Sequence, residues 1–237
     1  IYTGISAKDY MDGTSNFYGV HSVTLYVDSV QVFNSTTDKV LPDENRMING
    51  FTDYEELTRP RRLIMRSYKL PGNRLRLLHP NENRGAVTID EERDYHFRYV
   101  LEDNFGNRRT YQFIVKGKRQ DIPEYKPEAN EMLYWNRTNV IQKPGMELVV
   151  PRYYVYEDVP LRTDMRGDSS HIAFDYILDA GRTPIHSYCD LSIGLRHMPV
   201  ADTTKYYIVQ KAGKWRSSMG GKYANGWIKT RVRSLGT

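Results

Sequence analysis

Apolar and polar residues alternate with a period of two through much of the chain. Val23, Leu25 and Val27 are separated by Thr24 and Tyr26, which places the three aliphatic side chains on one buried strand face. Tyr95, Phe97, Tyr99 and Leu101 alternate with His96, Arg98 and Val100. Asp103-Asn104-Phe105-Gly106-Asn107 then turns the chain, and Tyr111, Phe113 and Val115 return with the same period. This is the pattern of a hairpin. A first strand near residues 2–7, a turn-rich loop at 9–19, a strand from residue 20 and a corner at Asp28-Ser29 open the chain. Further strands are expected at 63–65, 75–78 and 86–89, each bounded by turn residues such as Pro71-Gly72-Asn73. Residues 43–57 are too polar for a core strand and fit a short helical turn.

Residues 119–131 carry charge and two prolines with no apolar period, so they read as an extended linker. The pattern resumes at Met132-Leu133 and continues through 146–150, 159–165, 172–178, 188–193, 206–210, 214–219 and 227–233, with turns at Gly220-Gly221 and Asn225-Gly226. The expected fold is all-β: two consecutive β-sandwich domains. Residues 1–118 form the first, which is immunoglobulin-like in strand number and spacing. Residues 132–237 form the second.

Composition narrows the class. Tyr is abundant at 19, against 7 Phe and 3 Trp, and suits strand faces where the ring packs and the hydroxyl stays wet. One cysteine, Cys189, cannot form an internal disulfide. No apolar run is long enough for a membrane helix. The strand patterns close to both ends suggest a piece of a longer protein. The net charge of +5 is spread evenly, with 18 basic against 16 acidic residues in 1–119 and 16 against 13 in 120–237. Arg59, Arg61 and Arg62 form the only tight basic cluster, so nucleic acid is not the expected partner.

Few residues offer chemistry. Asp9, Asp12 and Asn16 supply oxygens suited to calcium, but Asx turns use the same residues, and no closing glutamate completes a calcium loop. His186 and Asp190 stand four apart. A zinc site needs a third protein ligand, and a shared strand face explains the spacing. Cys189 in a strand reads as a small core residue. Asn34-Ser35-Thr36 and Asn136-Arg137-Thr138 match the glycosylation pattern. Trp215-Arg216 and Trp227 have the chemistry of a sugar contact, with Trp227 also placed to anchor its strand. No catalytic residue, metal site or cofactor is expected.

Gly4-Ile5, the run from Tyr10 to Val20 (Tyr-Met-Asp-Gly-Thr-Ser-Asn-Phe-Tyr-Gly-Val), Asp53-Tyr54-Glu55-Glu56, Pro71-Gly72-Asn73-Arg74-Leu75 and Asp90-Glu91-Glu92-Arg93 are taken together with Gly145-Met146-Glu147-Leu148, Pro151, Gly220-Gly221-Lys222-Tyr223 and Asn225-Gly226-Trp227. The set resembles the long C-terminal region of exported lysostaphin-type zinc metalloendopeptidases of the Bacteroides group. That family's peptidase domain lies N-terminal to this region, and its His-x-His zinc motif is not in this chain. The resemblance implies a non-catalytic accessory region of an exported cell-wall (peptidoglycan) metallopeptidase or peptidase-like protein, in the periplasm or on the outer membrane. Its partner would be a peptidase domain, with cell-wall glycan as a further candidate. The alternative is a free-standing adhesion or glycan-binding module. If the chain serves a peptidase, contacts are expected on a flat Tyr- and Arg-rich surface facing that domain, near residues 9–16 and the linker.

Overall fold

The computed structural model describes residues 1–11, 13, 15–58 and 62–236. The chain is all-β and sandwich-type, in two compact units, Ile1–Glu124 and Tyr125–Thr237.

The first unit contains β1 (Gly4–Ile5), β2 (Asp9–Tyr10), β3 (Phe17–Tyr18), β4 (Ser22–Val27), β5 (Val30–Thr36), β6 (Met65–Arg66), β7 (Leu78–Pro80), β8 (Asp94–Glu102) and β9 (Arg108–Lys116). Two short helices, α1 (Ile48–Phe51) and α2 (Tyr54–Thr58), follow a 3-10 turn at Asn45–Met47. One antiparallel sheet, in the order β7-β5-β4-β8-β9, organises the unit. Val23, Leu25 and Val27 of β4 are buried and alternate with half-buried neighbours. Asp28 and Ser29 both take positive φ, 48° and 69°. That is the pairing a two-residue hairpin requires to match strand twist, and it brings Val27 opposite Val30. Phe97 and Phe113, cross-strand partners in β8 and β9, stack with ring centroids 5.0 Å apart.

The layer over this sheet is mostly irregular and is fixed by polar clamps. The carboxylate of Glu44, 3% exposed, accepts from Leu41 N–H at 3.0 Å and from Arg76 Nε at 2.7 Å and Nη2 at 3.0 Å. Asn73 donates to Met47 O at 3.1 Å and accepts from Leu75 N–H at 3.0 Å. The Tyr99 hydroxyl donates to Thr3 Oγ1 at 2.9 Å and lies 2.7 Å from Ser67 Oγ. Gly85 makes room for this layer: with φ at +85°, a Cβ there would come within 2.4 Å of Ser67 O.

Several strands are shorter than the periodicity suggests. The expected strand from residue 63 is reduced to Met65–Arg66, because its partner β1 offers only Gly4 and Ile5. Leu75 and Leu77 lie in the approach to β7, which starts at Leu78. Residues 86–89 join no ladder; Val87 N–H instead donates to Ile1 O at 2.9 Å.

The second unit contains β10 (Glu131–Leu133), β11 (Asn139–Lys143), β12 (Met146–Val150), β13 (Val159–Arg166), β14 (Asp175–Asp179), β15 (Cys189–Gly194), β16 (Ile208–Ala212), β17 (Trp215–Gly220), β18 (Lys222–Ala224) and β19 (Trp227–Val232). They form a sheet β10-β13-β14, a sheet β11-β12-β15-β19-β18 and a separate hairpin β16-β17. Leu133 and Leu161 from the first sheet and Leu148 and Val150 from the second are all fully buried in one core. Gly145 turns β11 into β12 with φ of 72°, and a Cβ there would sit 2.8 Å from the Tyr176 hydroxyl. That hydroxyl donates to Pro144 O at 2.6 Å. The end of the expected linker is structured. Asn130 Oδ1 accepts from Thr163 N–H at 2.7 Å, its amide donates to Thr163 O at 2.8 Å, and Glu131 already belongs to β10.

Candidate interaction surface

The turn-rich stretch 9–19 folds into a hairpin of two residues per strand. Asp9 pairs with Tyr18 and Tyr10 with Phe17, while Met11 N–H donates to Asn16 O at 3.3 Å. Gly13, at φ of +73°, takes a left-handed turn position. So short a ladder buries little, and its large side chains stay in solvent. Tyr10 is 60% exposed, Met11 48%, Phe17 51% and Tyr18 59%. The rings of Tyr10 and Phe17 lie 5.9 Å apart at 54°, and Lys8 Nζ sits 4.0 Å from the Phe17 centroid. With both partners in water, a tilted ring pair and a cation–π contact of this kind each supply about 0.5 kcal/mol, the low end of their range. They organise the surface without removing it from water. Grouped exposed apolar side chains of this kind mark interaction sites in soluble domains.

The calcium candidates share this hairpin. Asp9 is half-buried in β2 and Asn16 is exposed before β3, while Asp12 lies outside the described residues. Among the described residues no group of three His, Cys, Asp or Glu side chains is arranged to hold a metal ion. Of the basic cluster, Arg59 and Arg61 lie outside the described residues; Arg62 Nε donates to Glu56 Oε2 at 3.0 Å.

In the second unit, His186 precedes β15 and does not share its face with Asp190, a correction to the spacing argument. The His186 ring packs edge-on against Tyr154 and Tyr156, and its Nδ1 lies 3.1 Å from the Tyr156 hydroxyl. Asp190 is exposed and pairs across β19 with Arg231. Cys189 is fully buried in β15, where desolvation first, and the nearby Asp190 charge second, push its thiol up to about 12. Asn34 is tied into β5, its amide donating to Thr24 Oγ1 at 2.9 Å, whereas Asn136 sits in an exposed turn. Trp215 is 81% exposed at the β16-β17 turn; Trp227 is half-buried against Gly194.

Arginine–tyrosine stacking recurs, with Arg93 over Tyr95, Arg98 over Tyr26, Arg137 over Tyr134, and both Arg231 and Arg233 over Tyr188. These pairs are distributed over strands and turns of both units rather than collected on one flat face. The sequence reading also missed an apolar slot of about 280 Å³ in the second unit, lined by residues such as Phe174, Tyr176, Ile193, Ile208, Met219 and Leu235. Its one visible signal was the alternation Ile172, Phe174, Tyr176, Leu178.

Residues 130–237 match the family model of the Zu5-like domain. The second unit is therefore similar to a Zu5-like domain. No curated protein and no solved structure matches the chain. Among the described residues no helix is long and apolar enough to cross a membrane.

Proposed function

We propose that this chain is a non-catalytic interaction region of an exported cell-wall metallopeptidase or peptidase-like protein, acting in the periplasm or at the outer membrane. The observation that carries this reading is the β2-β3 hairpin, which holds Tyr10, Met11, Phe17 and Tyr18 in solvent. Aromatic side chains held in solvent are the residues that dominate protein interfaces once desolvated. Lys8 beside them adds a charge that favours an acidic rim on the partner. The partner in this reading is a lysostaphin-type peptidase domain, and the hairpin docks on it to position or regulate it.

Titrating the chain into the purified peptidase domain from the same organism, by calorimetry, tests the reading. Saturable binding, with peptidoglycan cleavage altered in the bound state, is expected. Absence of binding, together with unchanged cleavage, rejects it. A second reading, glycan adhesion without a peptidase, draws on the exposed Trp215 ring beside Arg216. Cosedimentation with purified sacculi that is lost in Trp215→Ala distinguishes it.

A further inference from the structure

The slot in the second unit lies along the free edge of β14. In the β13-β14 ladder, Thr163 is opposite Leu178 and Met165 opposite Tyr176. Leu178 N–H, however, donates to Gly236 O at 2.8 Å. Alternate pairs of an antiparallel ladder exchange backbone bonds, and the pairs between them do not. Tyr176 has the same parity as Leu178, so the backbone groups of both point away from β13 and toward the slot. On the far side runs β16, joined to β14 by side chains through Lys211 Nζ and Asp175 Oδ2 at 2.5 Å.

Residues 234–236 lie between these two strands. Ser234 Oγ donates to Gln210 Oε1 at 3.0 Å, Leu235 packs against the aliphatic core, and Gly236 bonds to β14. Gly236 lies against the Gln210 side chain, whose Nε2 would stand 2.8 Å from a Cβ built there. The segment thus behaves as a bound peptide, with a main-chain bond for affinity and an aliphatic side chain for specificity. That is how extended ligands add to sheet edges. It leaves open about 280 Å³ of space lined by apolar side chains, with Ile172 and Tyr207 exposed at the rim.

We propose that the β14 edge is a strand-addition site for an extended segment of a partner protein carrying a leucine-like residue, and that residues 234–236 occupy it as a displaceable internal competitor. This site is independent of the first-unit hairpin, so either can fail without the other.

The test uses a fluorescein-labelled peptide with the sequence of residues 231–236 and a second peptide with aspartate in the leucine position. Each is titrated by anisotropy into the full chain and into the full chain bearing Leu235→Asp, which expels the internal segment. An intramolecular competitor acts at an effective concentration in the millimolar range. The Leu235→Asp chain is therefore expected to bind the leucine peptide at least about ten-fold more tightly than the unaltered chain, and the aspartate peptide at least about ten-fold more weakly than the leucine peptide. A folded Leu235→Asp chain that binds neither peptide, or both equally, overturns the proposal, as does equal binding of the leucine peptide by the two chains. If Leu235→Asp does not fold, Leu235→Ala is put through the same comparison. Failure of both variants to fold also overturns it, because the segment is then an integral part of the core.

Discussion

The two units solve the same problem with different chemistry. The second closes two sheets over a largely apolar interior, where among the described residues Asn139 and Thr163 are buried together with Tyr156, Tyr176 and Tyr206. The first has one large sheet and covers it with short helices and irregular chain. There Ser35, Glu44, Thr52, Ser67 and Asn73 are all buried. Irregular backbone leaves N–H and C=O groups without ladder partners, and side chains satisfy part of them. The first unit therefore leans more on directional polar contacts, and the second more on close packing. Leu148→Ala damages packing alone, whereas Asn73→Ala and Glu44→Gln damage the polar contacts alone.

The largest effect belongs to packing. Leu148 is fully buried at the centre of the second unit, and Leu148→Ala is expected to cost about 2–5 kcal/mol. Calorimetry should show the second unit's transition falling while the first unit's stays in place. A parallel shift of both would show that the units do not melt separately.

Asn73→Ala comes next. It strands Met47 C=O and Leu75 N–H in a buried layer, at an expected cost of about 1–3 kcal/mol to the first unit alone. Denaturant unfolding followed by fluorescence measures it. No change would mean that these groups find other partners.

Acid provides a graded version of the same test. Hydrogen bonds from Arg76 and then from Leu41 N–H hold the Glu44 carboxyl below its ordinary value of 4.5. A carboxyl with a depressed folded-state value contributes stability that is complete above the unfolded value and is lost as pH falls through the folded one. The first unit should therefore lose stability below about pH 4.5. Glu44→Gln should lower its stability at neutral pH and flatten that acid limb. An unchanged pH profile in the variant would contradict the clamp.

Much of this architecture was legible in the sequence, and the gaps have physical causes. The alternation at 23–27 and 95–101 named the buried faces of β4 and β8, because each of these strands has one solvated or half-buried face. The helical character of 43–57 was also legible. The strands expected at 63–65 and 86–89 were over-read, the first shrinking to Met65–Arg66 and the second joining no ladder, because a ladder needs a partner, and periodicity does not report where the partner ends. The first unit's clamps were hidden for another reason. Glu44 and Arg76 are 32 residues apart, and a buried glutamate looks like any surface acid until its partner arrives. The hairpin's turn residues were visible, but the exposure of its rings follows from the brevity of β2 and β3, which no local pattern announces. The slot along β14 draws on several strands and residues 234–236, so only its Ile172–Leu178 alternation could be read in advance.

The smallest expected effect on stability accompanies the largest on recognition. Tyr10 and Phe17 are more than half exposed, so the double variant Tyr10→Ser, Phe17→Ser should change unfolding free energy by no more than about 0.5 kcal/mol per site. If the hairpin is the contact surface, the same variant removes two aromatic anchors, each worth about 2 kcal/mol or more at an interface centre. Calorimetric titration of the unaltered chain and the double variant into the peptidase domain, with melting curves recorded on both, measures this directly. The account predicts matching melting curves and a Kd at least about a hundred-fold weaker for the variant. Matching melting curves with an unchanged Kd would contradict it.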